Sequence, residues 1–115
     1  MKHNKKRIAK MVDELVTYMF SIGATDISIN ISDEVDSYRI RLESNYLNKY
    51  RKNLDKLQKY LNYDKQEEME EYYWELAGDS DVDTELTLIG MMTDEAEIDY
   101  NDDRIKITLR RNKKG

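Results

Sequence analysis

Four short stretches alternate strictly between apolar and polar residues, and that alternation limits what the chain can fold into more than any other feature. They are Asp26-Ile27-Ser28-Ile29-Asn30-Ile31, Tyr38-Arg39-Ile40-Arg41-Leu42-Glu43, Ala96-Glu97-Ile98-Asp99-Tyr100 and Arg104-Ile105-Lys106-Ile107-Thr108-Leu109-Arg110. Successive side chains of a strand point to opposite faces, so each stretch has one wet face and one face that must be covered. Ser32-Asp33-Glu34-Val35-Asp36 joins the first two at hairpin length, and Asn101-Asp102-Asp103 joins the last two as a tight turn. The outward positions of the third stretch are acidic and those of the fourth mostly basic, which suits cross-strand pairing on an exposed sheet face.

Amphipathic helices supply the cover. From Arg7 to Phe20, the residues Ile8, Met11, Val12, Leu15, Val16 and Met19 fall on one broad face, and Gly23 is the natural stop because it accepts a left-handed backbone. From Tyr46 onward Leu47, Tyr50, Leu54, Leu57 and Leu61 recur at steps of three and four, the seam of a second helix. Asn62-Tyr63-Asp64 interrupts it, and a further helix with Met69, Tyr72, Tyr73 and Leu76 on one side ends near Gly78. Asp83 can cap a last helix from Thr84 to about Thr93. The order α-β-β-α-α-α-β-β predicts an α+β two-layer sandwich. Its sheet is largely antiparallel, four-stranded or slightly larger, with one face covered by helices. We expect a single domain over residues 1–115, a helical insert at 46–78, and disordered basic ends at about 1–5 and 111–115.

Composition narrows the chemistry. The absence of cysteine excludes disulfides, thiolate metal sites and cysteine nucleophiles, and the single histidine, His3, disfavours zinc and removes buried-histidine catalysis. The basic start is not followed by an apolar core and no run of ~18 apolar residues occurs, so no membrane association and a cytoplasmic location are expected. Asp79-x-Asp81-x-Asp83 has the spacing that opens an EF-hand loop. Thr84 and Gly90 stand where its glycine and bidentate glutamate belong, so a helix-capping loop is expected instead. The basic ends, Lys2 to Lys10 and Arg104 to Lys114, could touch nucleic acid, but the net charge of -5 and the lack of a nucleic-acid motif disfavour it. Tyr60, Tyr63, Tyr72, Tyr73 and Trp74 cluster in the insert. They are a candidate partner surface, or they pack the inserted helices.

Two stretches carry a family resemblance. Glu14-Leu15-Val16-Thr17-Tyr18 through Gly23-Ala24-Thr25-Asp26-Ile27-Ser28-Ile29 looks like a helix bearing Glu-Leu-x-x-Asn followed by a short turn and a strand. Leu86-Thr87-Leu88-Ile89-Gly90-Met91-Met92-Thr93-Asp94-Glu95-Ala96-Glu97-Ile98 looks like a helix that ends in a Met-x-Asp-Glu-Val run and enters the last hairpin. With the element order, these words resemble the ATP-binding fold of sensor histidine kinases, anti-sigma-factor kinases, gyrase and Hsp90, the GHKL or Bergerat fold. The resemblance implies that Glu14 matches the glutamate that orients or activates the attacking group. Tyr18 stands where the family's asparagine holds Mg²⁺, and a phenol is a poor replacement for that ligand. Ser44-Asn45-Tyr46-Leu47-Asn48 stands where Asp-x-Gly-x-Gly grips adenine, with Ser44 in place of the aspartate. Glu85-Leu86-Thr87 stands where Gly-x-Gly cradles phosphate, so Glu85 and Thr87 replace the glycines and Glu85 brings the wrong charge.

The implied protein is therefore a non-catalytic regulatory or protein-binding module with a degenerate nucleotide site. It has no catalytic residue, cofactor or metal, and its partner is another protein, with a homodimer also open. Glu14 is then expected to be an exposed helix residue and Tyr18 a packing residue. The alternatives are an active ATP-binding serine kinase or ATPase of the anti-sigma type, using Mg²⁺ and Glu14, and a nucleic-acid-binding protein using its basic termini.

Overall fold

A computed structural model describes residues 4–61 and 89–113. The elements are α1 (Asn4–Ser21), β1 (Ile27–Asp33), β2 (Ser37–Asn45), a single 3₁₀ turn (Asn48–Tyr50), α2 (Arg51–Leu61), β3 (Glu95–Tyr100) and β4 (Arg104–Asn112). The strands form one open antiparallel sheet in the order β1-β2-β4-β3, so the two hairpins are joined side by side through β2 and β4. This is the expected α+β architecture. The helices read from the sequence between Asn62 and Leu88 lie outside the described residues.

The pairing places the apolar side chains in rows across one face. Ile29, Leu42, Ile107 and Ile98 make one row, and Ile31, Ile40, Leu109 and Ala96 the next. On the central strands these side chains are fully buried, and they join Met11, Leu15 and Met19 of α1 and Leu54, Leu57 and Leu61 of α2 in one core. Every second residue of each strand faces inward, so a helix laid across the sheet removes one whole alternating set from water.

Helix α1 ends by the mechanism its sequence announces. The N–H of Ala24 bonds back to the Met19 carbonyl at 3.0 Å and that of Gly23 to the Phe20 carbonyl at 3.1 Å, a Schellman pair. Gly23 adopts φ 87°, and a Cβ built there would also lie 2.5 Å from Leu47 Cγ. The spacing of the leucines predicts that Leu47 begins the α2 seam. Instead it precedes the helix, donates its N–H to the Ile22 carbonyl at 3.0 Å, and is 48% exposed. The seam thus starts later, with Leu54 the first of its leucines to be fully buried.

Within the ends expected to be disordered, residues 4–5 and 111–112 belong to regular elements. Asn4 and Lys5 belong to α1, and β4 continues through Arg111 and Asn112. The reason is a polar clasp. Arg111, only 1% exposed, donates from Nε to Asn4 Oδ1 at 3.1 Å and from NH1 to the Met92 carbonyl at 2.8 Å. Asn4 Nδ2 in turn reaches the Lys113 carbonyl at 3.4 Å.

Candidate functional site

The 3.6-residue period of α1 puts Glu14 and Tyr18, four residues apart, on one flank of the buried stripe. Glu14 is not the exposed residue expected of it: it is 7% exposed, and Lys10, one turn earlier, approaches its Oε1 to 2.5 Å. Its helical position borders Met11 and Leu15 rather than opposing them, so packing around the stripe draws it in. Burying a carboxylate is costly unless it is paired, and Lys10 is the pair. Tyr18 packs as expected. It belongs to the core cluster, and its hydroxyl donates to the Asn53 carbonyl at 3.2 Å. That bond ties α1 to the first turns of α2.

The stretch standing where adenine would be gripped is occupied with holding the fold. Ser44 is fully buried on the core face of β2, and its hydroxyl donates to the Asn45 carbonyl at 2.8 Å. The Asn45 side-chain carbonyl accepts from the N–H groups of Thr25 and Asp26, both at 2.9 Å, and so fastens the turn after α1 to the end of β2. Tyr46 donates its hydroxyl to the Asn101 carbonyl, and Asn48 Nδ2 donates to the Asp102 carbonyl at 2.9 Å. Arg51 closes the same corner on Asp102 at 2.7 Å. Glu85, Thr87, Tyr63, Tyr72, Tyr73, Trp74 and the Asp79–Asp83 loop lie outside the described residues, as does the side chain of Tyr60.

A second surface has no counterpart in the sequence pattern of any single stretch. On the sheet face that no described helix covers, β2 presents Arg39 and Arg41 and its neighbour β4 presents Lys106 and Arg110. The edge strand β3 adds Glu95, Glu97 and Asp99. These line a shallow open concavity whose centre is cationic and whose β3 border is anionic. Arg110 reaches Glu95 at 3.4 Å, as the acidic-to-basic pattern of the last hairpin predicts, and Lys106 reaches Glu43 of β2 at 3.7 Å. The basic residues were visible at the polar positions of two separate stretches. Their union waited on the pairing of β2 with β4, which no local signal gives.

Among the described residues, no three acidic or histidine side chains come together as a metal site, and no helix is long and apolar enough to cross a membrane. Comparisons with family models, curated proteins and solved structures find no match to the chain.

Proposed function

We propose that this chain is a cytoplasmic, non-catalytic module that acts by protein contact, a GHKL-type layout without a nucleotide site. The observation that carries the reading is the use made of Glu14 and Tyr18. A catalytic carboxylate must meet the attacking group, whereas Glu14 is buried against Lys10 at 2.5 Å. A magnesium ligand must face an open site, whereas Tyr18 bonds to the backbone of α2 and draws the two helices together. The glycines that would let a backbone close on a nucleotide are also missing from 44–48. Protein contact is supported by the outer sheet face, where the bases Arg39, Arg41, Lys106 and Arg110 of β2 and β4 are bordered by Glu43 and by the β3 acids Glu95, Glu97 and Asp99. A phosphate backbone would be repelled by that acidic column, while a protein surface can answer both signs.

Thermal unfolding in the presence of millimolar ATP or ADP with Mg²⁺ tests the reading. A bound nucleotide at ~100 times its dissociation constant stabilises by about 2.7 kcal/mol, which shifts a domain of this size by several degrees. We expect no shift. A shift that Glu14→Ala removes would replace this reading with that of a working ATPase or kinase.

A further inference from the structure

We propose that the edge of β1, which has no strand neighbour on that side among the described residues, pairs with β1 of a second copy, extending the sheet across a two-fold axis and bringing the two α1 helices side by side. This stands apart from the nucleotide question, which the thermal experiment decides separately.

The edge is ready to pair. The N–H of Asn45 bonds to the Asp26 carbonyl and that of Glu34 to the Ser37 carbonyl, and the β1–β2 register is continuous between them. In an antiparallel ladder, alternate residues bond to the same neighbour, so the even-numbered residues of β1 bond to β2. The N–H and C=O groups of Ile27, Ile29, Ile31 and Asp33 therefore point off the sheet. Edge strands are usually protected by lysine, proline or a bulge. From Ile27 to Ser32, β1 contains none of these, whereas the opposite edge, β3, carries Glu95, Glu97 and Asp99.

Beside that edge runs an apolar seam. Ala9, Val12, Val16 and Phe20 share one flank of α1, with Lys5 at its end. Val12, Ile27 and Ile29 each pack against the margin of the core. Tyr18, on the other flank of α1, reaches α2, and Lys5 lies close enough for its charge to act on Asp33, which sets the Val12 flank toward β1. Phe20 is 62% and Ile31 50% exposed.

The occupant is set by self-complementarity. Pairing centred on Ile29 matches Ile27 with the partner's Ile31, and Ile29 with its own copy, all as hydrogen-bonded pairs on the apolar face. Ser28 then meets the partner's Asn30. The charges fall on neutral residues: Asp26 faces Ser32 and Asp33 faces Thr25, while Lys5 approaches the end that carries the partner's Asp26. No like charges are opposed, and the contact is isologous, as a closed dimer requires. A strip about 23 Å long and roughly 20 Å high covers on the order of 450 Å² per copy. That is below the roughly 800 Å² per partner of a standard stable interface, so the dimer is a concentration-dependent one.

Sedimentation velocity of the whole chain from low micromolar to near-millimolar concentration, with amide exchange at both ends of the range, tests this. We expect a monomer–dimer equilibrium in which the N–H groups of Ile27, Ile29 and Ile31 exchange at least tenfold more slowly in the dimer. Ile31→Lys and Phe20→Lys should each weaken association at least tenfold while keeping the monomer's circular dichroism. A chain that stays monomeric throughout overturns the proposal. So does a dimer that ignores both substitutions, or one in which those amides stay unprotected. Protection of the same amides in the monomer would assign the edge to the chain's own 62–88 segment and overturn it equally.

Discussion

Two residues show how little room the α1 end of the molecule has for change. At Gly23 two separate costs meet: a backbone at φ 87°, which L side chains resist, and Leu47 within 2.5 Å of any added Cβ. Leu47 is half-exposed and can swing aside, so the backbone cost should dominate. Gly23→Ala is expected to lower the unfolding free energy by about 1–2 kcal/mol, and Leu47→Ala beside it to recover only a minor part. Urea denaturation of the single and double variants measures both. At Tyr18, removal of the hydroxyl leaves the ring packed and the Asn53 carbonyl short of a donor. Tyr18→Phe should cost about 1 kcal/mol with an unchanged denaturant slope. A loss of several kcal/mol would mean that the hydroxyl's role extends well beyond that bond.

Among the elements, β4 is the one whose length depends most on side chains beyond the ladder. Its last residues are held by Arg111 and by Lys113, which pairs with Asp33 at the end of β1 at 2.6 Å. The hydrogen bond from Lys113, aided by its charge, lowers the Asp33 carboxyl below its ordinary 3.8, and the same bond raises Lys113 above its ordinary 10.5. A lowered carboxylate contributes stability that is present above pH ~4 and lost as pH falls through its folded value. A raised lysine contributes stability that is complete below pH ~10.5 and lost as pH climbs past its folded value. The tie therefore holds between those limits. It is solvent-exposed, so its effect should be local. Amide exchange at Lys113, whose N–H bonds to the Asp36 carbonyl at 2.9 Å, should quicken below pH 4 relative to the centre of β4, and Asp33→Asn should abolish that dependence.

For the molecule as a whole, Arg111 is the residue that joins parts remote in sequence. Its buried guanidinium links the start of α1, the turn before β3 and the end of β4. Arg111→Met fills similar space but strands the buried Met92 carbonyl, and should cost about 2–3 kcal/mol in urea denaturation. Asn4→Ala, which removes only one arm of the clasp, should cost less.

Period and punctuation determined much of this protein by themselves. Alternation at 26–31, 38–43, 96–100 and 104–110 marked all four strands, and their apolar sets are those that face the helices. The stop at Gly23 and the turn at Asn101-Asp102-Asp103 were legible because the chemistry of a turn is local. In that turn the Asn101 side-chain oxygen accepts from the Asp103 and Arg104 N–H groups. Tertiary structure alone decided what depends on residues distant in sequence. The burial of Glu14 follows from packing around α1. The ordering of Arg111 follows from Asn4 and the Met92 carbonyl. The cationic column and the edge position of β1 among the described strands follow from the order β1-β2-β4-β3. A strand's alternation specifies which of its faces is buried, but any of the four strands could have been an edge. Only the pairing of whole elements settles which backbone groups are left facing water.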